Sequence, residues 1–161
     1  MRSISDNNSK RLSKLLRYGA GLKITPDDMS TALFSAIRQS RDECVAAIIN
    51  AGCDANRRDD DGKPALVVLM EHGRGNPEIL KTLLRAGADP NIVSLTTDTA
   101  ALHQAARKGY QVCIKQLLLA GAQVNKRDAS GYTSLMYAAR EGHVTVLRAL
   151  MSDCASVVVF V

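Results

Sequence analysis

The sequence predicts an all-α repeat solenoid, and three observations carry that expectation. A Gly-Ala dipeptide or a near copy recurs at Gly19-Ala20, Gly52-Cys53, Gly87-Ala88, Gly121-Ala122 and Cys154-Ala155, at steps of 33, 35, 34 and 33 residues. A second series, Leu33, Leu66, Leu102 and Leu135, runs in the same phase. Each unit also holds two short apolar stretches with helical spacing. A period in this range implies supersecondary units that bury their apolar faces only by stacking on neighbours.

The first helix of each unit opens near the phased leucine, in Thr31-Ala32-Leu33-Phe34, Pro64-Ala65-Leu66-Val67, Ala100-Ala101-Leu102-His103 and Thr133-Ser134-Leu135-Met136. In the last unit Leu135, Ala138 and Ala139 share one helical face. After Gly142-His143, Val144, Leu147, Leu150 and Met151 share another. These i, i+3, i+4 patterns read as two short helices. Neither is long enough to persist alone in water, so they pair and stack. Thr31 and Thr133 are expected N-caps, because a side-chain oxygen satisfies a free N–H of the first turn. Asn76 is the expected cap before Pro77, whose missing N–H costs nothing at a first helical position.

Each Gly-Ala slot follows an apolar residue by three positions (Leu16, Ile49, Leu84, Leu118, Met151) and is expected to end the second helix in a left-handed turn. From the phased Leu to the next slot is 19 residues in the first, third and fourth copies and 21 in the second. The extra two fall near Gly73-Arg74-Gly75-Asn76-Pro77, where Gly and Pro permit a longer loop. The step from Gly87 to Leu102 exceeds the usual 14 by one. Segments from Asp54 to Gly62 and from Gln123 to Gly131 are turn-rich and read as extended hairpins between units.

Helix, short loop, helix and hairpin at this period resemble the ankyrin repeat family. The fourth unit carries the likeness best: Asp128, Gly131, Thr133, Leu135, Ala138, Ala139, Gly142 and His143 match D-x-x-G-x-T-P-L-H-x-A-A-x-x-G-H, with Ser134 in place of Pro and Met136 in place of His. The third keeps Leu102-His103-Gln104-Ala105-Ala106 and Gly109. The second keeps Asp59, Gly62, Leu66 and Gly73, and the first keeps Thr31, Leu33 and Ala36. The resemblance implies ankyrin-type helix–loop–helix units joined by β-hairpin loops. It divides the chain into a flexible N-terminus (1–8), a capping half-repeat (9–24), four repeats (25–57, 58–93, 94–126, 127–156) and an apolar tail (157–161).

Composition bounds the rest. The 161 residues suit one repeat domain. No apolar run approaches the ~20 residues of a membrane span, and the polar start (Met1 to Lys10) lacks a signal-peptide core. A cytosolic or nuclear location is therefore expected. Cys44 and Cys113 share one repeat slot, Cys53 and Cys154 occupy the Gly-Ala slots, and no pair has metal-ligand spacing, so all four are expected to be small core residues in a reducing compartment. The net charge of +5 is spread along the chain, and only two Phe, four Tyr and no Trp are present. That composition argues against a nucleic-acid stripe.

No catalytic constellation emerges. His103 and His143 fall in repeat slots, and the resemblance gives them structural hydrogen bonds. His72 stands alone, and Asp59-Asp60-Asp61-Gly62 lacks the alternating ligands and distal Glu of a calcium loop. No phosphate-binding glycine loop appears. The chain is expected to be non-enzymatic, with no cofactor, metal or small-molecule substrate. The resemblance further implies that Asn56, Asn91 and Asn125 support the hairpins and are candidates for asparaginyl hydroxylation.

Stacking consumes the apolar faces and leaves a concave strip of hairpin tips and first-helix ends for a partner. By resemblance the tips are Asp27, Asp28 and Ser30; Asp60, Asp61 and Lys63; Thr96, Thr97 and Thr99; and Ala129, Ser130 and Tyr132. The helix ends are Arg38-Gln39, Glu71-His72, Arg107-Lys108 and Arg140-Glu141. Tyr and Arg are favoured interface anchors, so the last two units are the expected hot region. The function that follows is a protein–protein interaction module, an adaptor, scaffold or inhibitor for a protein or peptide. The alternative is the regulatory segment of a larger enzyme, such as a kinase or ubiquitin ligase, continuing past Val161. The apolar end from Ala155 to Val161 has three readings: a longer array, a folded-back cap, or a C-terminal strand for sheet-edge addition.

Overall fold

The computed structural model describes residues 25–158, with side chains through Ser152. The N-terminal half-repeat, Gly19-Ala20 and residues 159–161 lie outside the described residues. Within them the helices are α1 (Pro26–Arg38), α2 (Asp42–Asn50), α3 (Ala65–Glu71), α4 (Pro77–Arg85), α5 (Ala101–Lys108), α6 (Gln111–Leu119), α7 (Ser134–Arg140) and α8 (Val144–Val158). First helices α1, α3, α5 and α7 pack side by side in one layer, and second helices α2, α4, α6 and α8 form the layer behind it. No described helix is long and apolar enough to cross a membrane.

One continuous core runs between the layers. The phased leucines Leu33, Leu66 and Leu102 are buried, as are Ile48, Leu83, Leu117 and Leu150 of the second helices. Cys113 and Cys53 are buried and Cys44 is half-buried, each a free thiol. The Cys113 thiol donates to the Gly75 carbonyl at 2.8 Å, and burial raises its pKa to about 11.

Second helices end in one repeated device. Gly52, Gly87 and Gly121 hold φ of 95°, 87° and 87°. Each donates its N–H to the carbonyl three residues back (Ile49, Leu84, Leu118), while the next residue donates to Ile48, Leu83 or Leu117. That pair of bonds satisfies carbonyls the helix leaves open. The fifth slot departs from the expectation: α8 runs through Cys154-Ala155 to Val158. Cysteine there lacks the glycine that makes a left-handed residue inexpensive, so the helix continues.

Other starts also differ. α1 begins five residues before Thr31, capped by Thr25, whose Oγ1 accepts from Asp28 N–H while Asp28 Oδ2 accepts from Thr25 N–H. Thr25-Pro26-Asp27-Asp28 therefore completes a capping box with Pro at the first helical position, and Thr31 lies inside the helix. Asn76 and Thr133 cap as expected, accepting from Glu78 N–H and Met136 N–H. In the second unit the inter-helix turn uses Gly75 at φ 57°, with the two-residue insertion placed before it. Gly73, matched to this turn by sequence, is one of the inserted residues.

The inter-unit loops are tight fingers rather than strands: Arg58 and Pro64 form an isolated antiparallel bridge. Asp59 N–H bonds Lys63 O, Ser94 N–H bonds Thr99 O, and Asp128 N–H bonds Tyr132 O. Neighbouring fingers join through Leu95 N–H to Gly62 O and Ala129 N–H to Thr97 O. In the longer second finger, Asp98 takes the left-handed position that Gly62 and Gly131 hold elsewhere.

Asparagine couples unit to unit. Asn56 Nδ2 donates to Gly87 O at 3.0 Å and its Oδ1 accepts from Asp89 N–H at 2.8 Å. Asn91 repeats both bonds with Gly121 O and Gln123 N–H, at 3.0 and 2.8 Å. Asn91→Ala should lower stability by about 1–3 kcal/mol, read as an earlier urea midpoint. Ser134 points the other way. Its hydroxyl is buried without a partner among the described residues, it opens α7, and the preceding Thr133 is extended at φ −95° and ψ 165°, as a residue before proline requires. Ser134→Pro should stabilise by about 0.5–1 kcal/mol, seen as a later midpoint in the same titration.

Candidate protein-binding surface

The fingers and first helices bring the later tips against α7. Asp128 Oδ1 accepts from Ser130 and Tyr132 N–H, both at 2.9 Å, which folds the tip around one carboxylate oxygen. Its Oδ2 accepts from the Tyr137 hydroxyl at 2.5 Å. Burial alone would raise the Asp128 pKa. The Tyr137 hydroxyl and the two backbone N–H groups outweigh it, and the net shift is downward. Tyr137 moves upward through burial and through its bond to Asp128.

An aromatic–cation group stands on this base. Tyr132 lies tilted against Tyr137 at 5.4 Å. The Arg140 guanidinium sits 5.7 Å from the Tyr132 ring and 5.1 Å from the Tyr137 ring. Arg140 is further held by Glu141 at 3.0 Å. Tyr132 remains 38% exposed, a rigid ring presented to solvent beside a fixed cation.

His103 lies beneath. Its Nδ1 accepts from Ala100 N–H at 3.1 Å, which leaves Nε2–H to donate to Lys126 O at 2.9 Å. The ring meets Tyr137 edge-on at 6.1 Å. One neutral imidazole thus ties the start of α5 to the next finger, as the resemblance implied. Burial lowers its pKa. His143 Nε2–H donates to Arg107 O at 3.1 Å, and its ring covers Gly109. A Cβ on Gly109 would come within 2.8 Å of that ring, at a φ of 74°.

The remaining sequence-derived positions divide. Asp27 and Asp28, expected on a tip, lie in the first turn of α1. Asp60 and Asp61 are exposed on a cleft of about 480 Å3 that Phe34, Arg38 and Arg57 also line. Arg38 is bonded to Asp59 at 2.7 Å and lies over Phe34, and Gln39 is held by Ser35 and Arg41. Lys63 and Glu71 pair at 2.6 Å, with His72 at 3.4 Å and Gln104 Nε2 at 3.1 Å on the same carboxylate. Thr99 is a correction: it is 5% exposed, and its hydroxyl turns inward to Thr97 at 2.8 Å. Thr97, Lys108, Ser130 and Glu141 are exposed, and Arg107 is half-buried. Sequence reasoning did not single out Tyr137 or Gln104. Their signal is spatial, since each pairs with a carboxylate from another part of the array.

A family profile described as ankyrin repeats (3 copies) matches residues 1–94 and, overlapping them, 72–159. The chain is 34% identical over 118 residues to cyclin-dependent kinase 4 inhibitor B of Bos taurus, covering 73% of this chain and 88% of that protein. It is 33% identical over 124 residues to cyclin-dependent kinase inhibitor 2A of Monodelphis domestica, covering 75% and 71%. Potassium channel AKT2/3 of Arabidopsis thaliana is 28% identical over 159 residues, which is 96% of this chain and 19% of the channel.

The buried His103 gives a pH dependence of definite sign. Its folded pKa lies below the ordinary 6.5, so the unfolded chain binds the proton first. Its contribution is complete above about pH 6.5 and is lost as pH falls through the folded value. Asp128, also lowered, adds a further loss below its ordinary 3.8. Urea midpoints measured from pH 7.5 to 5 should fall for the parent protein and fall less for His103→Asn.

Proposed function

The chain belongs to the ankyrin-repeat family and is a non-enzymatic protein-interaction module, and from that premise we propose that it captures a folded protein on the concave strip, with the third and fourth units as the anchor. The observation that carries this reading is the Tyr132–Tyr137–Arg140 group. It is large, partly exposed and fixed in place by Asp128, so little side-chain entropy is lost on docking. Arg107 and Lys108 flank it on α5. The earlier tips add two exposed carboxylates, Asp60 and Asp61, to a cleft that Arg38, Arg57 and Arg58 also line.

The relatives' names supply the first partner to test. Two kinase inhibitors match at 33–34% identity over most of their own lengths. A cyclin-dependent kinase domain is accordingly the proposed partner class, held by surface complementarity without chemistry on either side. A cytosolic or nuclear site of action belongs to the same reading.

Immobilised chain should retain purified cyclin-dependent kinase 4, and Tyr132→Ala combined with Arg107→Glu should weaken retention about tenfold or more with little change in the thermal melt. Retention unaltered by the double substitution places the partner elsewhere, and no retention of the kinase by the parent chain removes that partner class.

A further inference from the structure

We propose a second docking surface on the opposite, second-helix face, fitted to an acidic amphipathic helix of another protein. Its centre is Leu119, which is 89% exposed at the end of α6. Leu119 walls two clefts at once. One, of about 360 Å3, lies toward α8 and is lined by Leu118 and Ala149. The other, of about 380 Å3, lies toward α4 and is lined by Leu84 and Ala120. Both floors are mainly apolar, and both rims are cationic. Lys115 borders the first, and Lys81 and Arg85 border the second.

Among the described residues no carboxylate lines either cleft. α6 carries no Asp or Glu, and α8 carries one, Asp153, after the cleft residue Ser152. The outer faces of both helices repeat one pattern, an exposed apolar residue at each end and a cation between. Val112 and Leu119 flank Lys115, and Val144 and Met151 flank Arg148. Gln116 Oε1, on the wall of the second cleft, is buried with no hydrogen-bond partner among the described residues.

The shape and charge select the occupant. Apolar clefts on both sides of a ridge suit apolar anchors at helical spacing, the helix-in-groove mode. Cationic rims without carboxylates suit acidic residues between those anchors. A lipid surface would bury the protruding Leu119 and leave the clefts unfilled. A second copy of this chain, docked face to face, would oppose the same cations. This surface does not depend on the concave strip, so a protein using both would bridge two partners.

The test is titration of the full chain with a fluorescent synthetic helix carrying Leu at i, i+4 and i+7 and Glu between, beside the same helix with Lys for Glu. The Glu helix should bind, and Leu119→Asp or Lys115→Glu should weaken it about tenfold. The Tyr132→Ala/Arg107→Glu chain should bind it as the parent does, which separates this surface from the concave one. Any of four results overturns the proposal: no binding of the Glu helix, equal binding of the Lys helix, indifference to Leu119→Asp, or Leu119-dependent binding to phosphatidylserine vesicles or to a second copy of the chain.

Discussion

The array depends on one amide side chain used twice. Asn56 and Asn91 each give a proton to the glycine carbonyl of the next unit's turn and take one from the backbone two residues later. Apolar burial between layers is non-directional and tolerates sliding. The amide does not tolerate it, because both bonds fail together if the next unit shifts by one residue. The glycine turn matters for the same reason: a left-handed residue aims its carbonyl at the incoming amide. Helix end, unit spacing and finger position are thus fixed by a few polar contacts laid over a generic hydrophobic seam.

The binding surface inherits this order. Asp128 closes the third finger and anchors Tyr137, Tyr137 and Tyr132 hold Arg140, and His103 supports Tyr137 from the preceding unit. Stability and recognition therefore share residues. Proton binding to His103 would remove the acceptor that Ala100 N–H needs and loosen the floor under the Tyr137 ring.

Much of this was legible in the chain. The glycine phase located the second-helix ends, and the phased leucines located the buried stripe. The fold class and a protein-interaction role followed. The departures have local causes. The first unit opens with a capping box, which draws Asp27 and Asp28 into a helix. The fifth Gly-Ala beat keeps its apolar spacing but not its glycine, and spacing alone cannot turn a chain. Thr99 was read as a tip residue although its finger is one residue longer, and that residue turns the threonine inward. The pairing of Asp128 with Tyr137 joins a finger to a helix face and has no periodic signature.

The two length irregularities show what the array measures. Gly73 and Arg74 are added before α4 and one residue near Leu95 is added before α5, yet α4 and α5 keep their places in the stack. The loop contacts explain why. Ser40 Oγ donates to Gly73 O, Gly73 is buried against Leu69 and Ile37, and the Tyr110 ring lies against Gly75, so only Arg74 of the added pair turns outward. Register is kept by angle and contact at a few joints instead of by residue count. A solenoid of this kind works as a self-correcting frame: surplus length is absorbed within a loop, with a glycine where the insertion passes the core and an exposed residue where it does not.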